Sequence, residues 1–254
     1  MAVLATHQLS IAVGARRLLT ALDATFAPGQ IWAVLGANGS GKTSLLHTLA
    51  GLRAAADGTV TLDGRELGAW PARQRARHIA LLLQGYETEF PATAMELALS
   101  GRHPYRQSFA GNDVQDLALA RAALAAVGLA EMQMRTLATL SGGERRRAEI
   151  AAVLAQDTPV YLLDEPANHL DLPYQLAVLG LYAARARGGA LVIMALHDVN
   201  LALRFATHAL LLCGDGTHRL GATESTITPA ALQQVYGCAF HEVRDGRRRY
   251  LVPE

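Results

Sequence analysis

The stretch Gly36-Ala37-Asn38-Gly39-Ser40-Gly41-Lys42-Thr43 constrains this chain more than any other part of it. It has the pattern of a glycine, four residues and Gly-Lys-Thr that wraps a polyphosphate. An apolar run over 31–35 reads as the strand leading in, and 44–50, from Ser44 on, reads as the helix leading out. Glycines let backbone N–H groups turn toward an anion with no Cβ in the way. The helix that follows points its positive end at the same place. In this frame Lys42 neutralises β- and γ-phosphate charge, and Thr43 holds Mg²⁺. The plainer reading, a glycine-rich turn into an ordinary helix, leaves the register of strand, loop and helix unexplained.

The remaining bulk properties set bounds. With 254 residues, 51% apolar and 18% charged, the chain has enough apolar material for a large core. Its 23 Lys and Arg against 22 Asp and Glu leave a net charge of +1. That balance lacks the basic excess of a nucleic-acid binder, so no nucleic-acid partner is expected. Cys213 and Cys238 are too few for a disulfide framework and lack metal-site spacing, so they read as reduced thiols. The N-terminus has no basic segment followed by an apolar run, so no signal peptide is expected. Arg121 breaks the Ala/Leu-rich 117–130, and His197 and Asp198 end the run 190–196. No segment reaches the roughly 20 apolar residues of a membrane-spanning helix.

Short β-rich runs alternate with helical patterns, which predicts an α/β fold. Runs at 31–35, 59–62, 78–83, 160–163 and 190–196 read as buried central strands. Residues 3–27 read as an antiparallel pair, and 210–212 with 219–220 as a hairpin around Gly214 and Gly216. From about 87 to 140 strand signals vanish and helices at 93–100 and 113–127 dominate.

A second motif is the apolar run 160–163 ending in Asp164 and Glu165. A buried strand would deliver Asp164 to the Mg²⁺ shell and Glu165 to the attacking water, as general base. Read alone, two acids before Pro166 also suit the start of a helix. A third is Leu140-Ser141-Gly142-Gly143-Glu144, a Ser-Gly-Gly turn opening a helix over 144–155. It offers a second anion-binding helix start, which one nucleotide does not need from one chain. A head-to-tail dimer, with each Ser141 loop closing on the partner's γ-phosphate, accounts for both.

With LSGGE in place, the chain resembles the ABC ATPase family over nearly its whole length. That resemblance implies a P-loop NTPase, RecA-like core with an antiparallel β subdomain and an inserted helical subdomain, binding ATP and Mg²⁺. It also implies roles for single residues. Gln84 matches the glutamine that reaches Mg²⁺ and the attacking water and links the site to the helical subdomain. His197 matches the histidine that contacts the γ-phosphate, and Leu170-Asp171 the loop passing between the two sites of a dimer. The family's adenine-stacking aromatic is replaced by Val13, which offers apolar contact without a ring. Asn168 and His169 stand where small residues are common.

The implied organisation is a core over about 1–86 and 156–223, a helical subdomain over about 87–155 and a C-terminal segment over 224–254. The order of motifs leads us to expect a single, unduplicated unit with nothing fused to it, and a helical part too short for a coiled coil. The stretch 101–105, with Gly101, Arg102, His103, Pro104 and Tyr105, and the run 232–237 resemble importer ATPases for iron chelates, haem and vitamin B12. A haem, ferric siderophore or cobalamin cargo, a separate polytopic permease gripped near Gln84 and 101–105, and a periplasmic binding protein follow from that likeness. So does a peripheral location on the cytoplasmic face of the inner membrane. The alternative is a soluble ABC ATPase working on a protein assembly. The basic run 247–249 reads as a solvated turn.

Overall fold

Residues 31–36, 160–164 and 191–195 are buried along their whole length. Leu, Val and Ile on both faces of a short run require cover above and below, which only a central strand receives. The computed structural model describes residues 2–84, 91–106, 113–246 and 248–254. In chain order its elements are β1 (Leu4–Val13), β2 (Arg16–Phe26), β3 (Ile31–Gly36), α1 (Lys42–Leu49), β4 (Asp57–Leu62), β5 (Arg65–Glu66), α2 (Ala72–Arg75) and β6 (Ile79–Leu82). Then follow α3 (Ala94–Ser100), α4 (Val114–Ala126), α5 (Gly142–Gln156), β7 (Val160–Asp164), α6 (Leu172–Arg187), β8 (Leu191–Ala195), α7 (Val199–Phe205) and β9 (His208–Leu212). The chain closes with β10 (His218–Ala222), α8 (Thr223–Thr226), α9 (Pro229–Tyr236), β11 (Phe240–Asp245) and β12 (Arg248–Pro253).

The main sheet has the order β10-β9-β3-β8-β7-β6, parallel except for the edge strand β10. Its side chains divide by the two-residue period of a strand. Ala33, Leu35, Tyr161, Leu163, Val192 and Met194 face one core, shared with α3, α4, α5 and α6. Trp32, Val34, Val160, Leu162, Leu191 and Ile193 face the other, shared with α1, β1 and β2. Full burial of each large side chain stabilises the fold by about 1.5–3 kcal/mol. The α/β P-loop fold with an antiparallel sheet and a helical insertion is therefore as the motifs imply.

One strand is in a different sheet from the one expected. Residues 59–62 lie within β4, which pairs antiparallel with β1 in the sheet β2-β1-β4-β5. Its first three residues are exposed and only Val60 and Leu62 are buried, the pattern of a half-covered strand. The hairpin expected at 210–220 is present, with Leu210 opposite Leu220 and Leu211 opposite Arg219.

The helical insertion is closed by caps and one buried ion pair. Thr93 with Glu96, and Ser141 with Glu144, form reciprocal capping boxes, and Asp113 caps α4. Arg102 does not face outward to a docking surface. It is 7% exposed and donates to Asp116 Oδ1 (2.8 Å) and to the α5 carbonyls of Ala155 (3.0 Å) and Gln156 (3.1 Å). Pro104 O accepts from Arg73 and Arg77, so the 101–105 stretch ties the helical insertion to α2 and the turn leading into β6, leaving His103 exposed. The adjoining residues 85–90 lie outside the described part. Arg249, expected on a solvated turn, sits in β12 and donates to the carbonyls of Glu224 and Ile227; Arg247 lies outside the described residues. Asn200 on α7 pairs both ways with Leu251 of β12, accepting from its N–H (2.9 Å) and donating to its carbonyl (3.2 Å).

Candidate active site

Four parallel strands end at one edge of the main sheet, and each delivers one functional segment there. The register sets Val34 and Asp164 opposite Ala195, and Leu82 opposite Leu163. The phosphate loop after β3, Gln84 after β6, Asp164-Glu165 at the end of β7 and His197 after β8 therefore converge. Ligands of open parallel sheets bind outside this carboxyl edge.

The loop after β3 curls around its own lysine. Lys42 Nζ donates to the carbonyls of Gly36 (2.7 Å) and Ala37 (3.2 Å), and burial lowers its pKa against the opposing pull of Glu165 and Asp164. Gly41 has φ +107°, a left-handed conformation that starts α1. A Cβ on Gly36 would stand 2.4 Å from Ser40 Oγ and 2.8 Å from Leu212 O, so the loop's first position has room for glycine alone. Ser40 and Lys42 are buried, while Ala37, Asn38 and Gly39 face out.

Glu165 is 6% exposed and is held from three sides. Gln84 Nε2 donates to Oε2 (2.8 Å), Asn168 Nδ2 donates to the same oxygen, and His197 Nε2 pairs with Oε1. Its backbone has φ +49°, unusual for a residue with a side chain. No helix starts at Pro166; the next, α6, begins after Asp171 at its N-cap position. The acid pair is thus not helix-start chemistry.

Asp164 is fully buried, and neither carboxylate oxygen accepts a well-formed hydrogen bond from the described residues. Burial raises its pKa, Glu165 adds to the rise, and the nearby Thr43 hydroxyl opposes it. A desolvated carboxylate with open lone pairs beside a hydroxyl fits a hard cation such as Mg²⁺, which takes one or two protein oxygens with phosphates and water.

These residues line a cleft of about 770 Å³: Asn38, Gly39, Gly41, Lys42, Thr43, Ser44, Gln84, Glu165 and His197, together with Val13, Arg16 and Leu18. Val13 is exposed in that wall. Ser141, Gly142, Gly143 and Asp171 are not among the lining residues; the first three start α5, with Ser141 Oγ accepting from Glu144 N (3.2 Å).

Three residues had no signal of their own in the motifs. Asn168, at a place where small residues are common, reaches Glu165. Arg16 lines the cleft and donates to Gly214 O (3.2 Å). Arg146 donates to the carbonyls of Asp164 and Glu165. An Asn three residues after paired acids was readable as a donor; the two arginines act through contacts far apart in the chain.

A parallel sheet with a phosphate loop, an acid pair, a glutamine and a histidine at its carboxyl edge defines a P-loop ATPase. The chain belongs to the ABC transporter family, whose pattern matches residues 19–168. It is 41% identical over 229 residues to the hemin import ATP-binding protein HmuV of Pseudomonas entomophila (strain L48), covering 88% of each chain. It is 35% identical to the siderophore transport system ATP-binding protein YusV of Bacillus subtilis (strain 168), covering 100% of this chain and 97% of that one. A chain from an inward-facing ABC transporter described as of metal-chelate type superposes with a TM-score of 0.86 at 26% identity, covering 100% of this chain and 98% of that one.

Proposed function

We propose that this chain is the ATP-hydrolysing subunit of an importer for haem or a ferric siderophore, acting on a separate membrane permease. Relatives named for hemin import and siderophore transport that match it over nearly full length carry this reading. Cobalamin belongs to the same chemical class of cargo, a metal held in a large organic ligand, and remains a member of the proposal. No helix among the described residues is long and apolar enough to cross a membrane. A peripheral place on the cytoplasmic face of the inner membrane, beneath the permease and a periplasmic binding protein, agrees with that.

In this reading the core is about 1–86 and 156–223, and 87–155 is the helical part that meets the permease. ATP lies with its phosphates in the loop 36–43 and its base toward Val13. Lys42 turns from the Gly36 carbonyl to the β- and γ-phosphates. Thr43, Asp164 and Gln84 hold Mg²⁺, which when bound neutralises phosphate charge. Glu165 accepts the proton of the attacking water, and His197 and Gln84 fix the direction of its carboxylate. The Ser141-Gly142-Gly143 start of α5 and Asp171 lie outside this chain's own cleft, so they serve the partner's nucleotide in a head-to-tail homodimer. Loss of the γ-phosphate removes the contacts bridging the chains and reopens the dimer.

The test is affinity purification from detergent-solubilised native membranes, with mass spectrometry of what accompanies the chain. A polytopic permease, together with loss of growth on haemin or a ferric siderophore as sole iron source when the gene is deleted, supports the reading. Soluble proteins alone, with ATP present, would replace it by an ATPase acting on a protein assembly.

A further inference from the structure

Arg146 lies in the second turn of α5 and is 6% exposed. Its guanidinium joins three segments that are far apart in the chain. Nη1 donates to Leu83 O (2.8 Å) and to Glu149 Oε2 (2.8 Å). Nη2 donates to Asp164 O (2.7 Å) and Glu165 O (2.9 Å). Leu83 immediately precedes Gln84, so the carbonyls it binds belong to the strand ends carrying the proposed base and its glutamine partner. The helix holding it opens at Ser141.

We infer that Arg146 is a positioning residue, fixing Glu165 and Gln84 relative to each other and to the Ser141 end of α5. The inference rests on the proposed assignment of Glu165 as general base. Glu165 has φ +49°, a conformation that persists only where its surroundings hold it. Its carbonyl accepts from Asn168 N (3.2 Å) as well as from Arg146, so the turn presenting the carboxylate is fastened at its base. A planar fork reaches four acceptors from two separated nitrogens in one fixed geometry, which the three donors of lysine's single nitrogen do not match. Glu149 balances the buried charge, so a neutral replacement leaves that carboxylate uncompensated. Ser141, Arg146 and Glu149 share one rigid helix, so a displacement of the Ser141 loop moves the same fork that holds Glu165.

The test compares Arg146→Lys and Arg146→Gln with the wild-type full chain, and includes Glu165→Gln alongside. The measurements are kcat and KM for Mg·ATP, equilibrium affinity for trinitrophenyl-ATP in EDTA, and Tm. The expected result is a fall in kcat of about 100-fold, with KM and analogue affinity unchanged; Tm stays near the wild-type value in Arg146→Lys and falls in Arg146→Gln, which leaves Glu149 uncompensated. Arg146→Lys should retain more turnover than Arg146→Gln without reaching the wild-type rate. Wild-type kcat in Arg146→Lys overturns the inference, because charge alone would then suffice. A parallel loss of kcat, affinity and Tm, or a failure of both variants to fold, overturns it in favour of a purely architectural role. Wild-type turnover in Glu165→Gln removes the base assignment and this inference with it.

Discussion

The guanidinium of Arg147 lies over the ring of Tyr174, 3.9 Å from its centre. The same side chain donates to Val127 O (2.9 Å) at the end of α4. Arg147 thus holds together the helix that opens at Ser141, the end of its neighbour in the insertion, and the helix that follows Asp171. Cation–aromatic contacts of this kind contribute about 1 kcal/mol. Tyr174→Leu is expected to lower the unfolding free energy from urea titration by that amount; an unchanged value would show the contact to be idle.

The Arg102–Asp116 pair gives a sharper contrast. Removing one member of a buried pair costs about 3–5 kcal/mol, whereas replacing both with apolar groups can be nearly neutral. Arg102→Met and Asp116→Leu singly should each destabilise strongly, and the double variant should be more stable than either. Additive losses in denaturant titrations would contradict this account.

Loss of a general base typically costs 10²–10⁴ in rate. Glu165→Gln should therefore reduce ATP turnover by about that factor, while ATP binding persists. Light scattering after gel filtration should show a dimer with ATP and a monomer without it. A variant that stays monomeric with ATP counts against a site shared between chains.

Asp164 links pH to stability. Burial raises its folded-state pKa, so the ionised carboxylate is disfavoured in the folded chain. The sign follows: any stability associated with this group is full below the ordinary Asp value near about 3.9 and is lost as pH rises through the folded value. Asp164→Asn should therefore raise Tm in EDTA at pH 7 and above, with the gain shrinking toward pH 4, and should abolish turnover. A gain that grows as pH falls would refute the assignment.

In the proposed reading the adenine lies toward Val13, which lines the cleft and offers no ring. Aromatic stacking is worth about 0.5–1.5 kcal/mol beyond area, so Val13→Tyr should tighten ATP binding up to about 10-fold. Inorganic tripolyphosphate should bind both proteins equally. Equal tightening of the two ligands would place the base elsewhere.

The parts of this molecule legible in its sequence are those whose chemistry is local. A phosphate loop, a capping Ser-Gly-Gly and an acid pair after an apolar strand each carry their geometry within a few residues. The convergence at the sheet edge was legible in outline, because each motif follows a strand. Arg146 and Arg102 were not, since their acceptors are mainly backbone carbonyls, which every residue type has. Residues 59–62 were misplaced for a different reason. Their alternation of buried and less buried positions is that of a half-covered strand, and short runs of Val and Leu do not reveal which sheet will receive them.

The amide of Asn200 does for β12 what a neighbouring strand would do. It meets the outward N–H and the carbonyl of Leu251 together, one donor and one acceptor against their complements. A two-stranded ribbon otherwise offers such groups to any passing chain, and open edges of this kind seed aggregation. Here a single side chain closes the β12 edge at Leu251, so a residue three positions after His197 occupies the place where an added strand would have to pair.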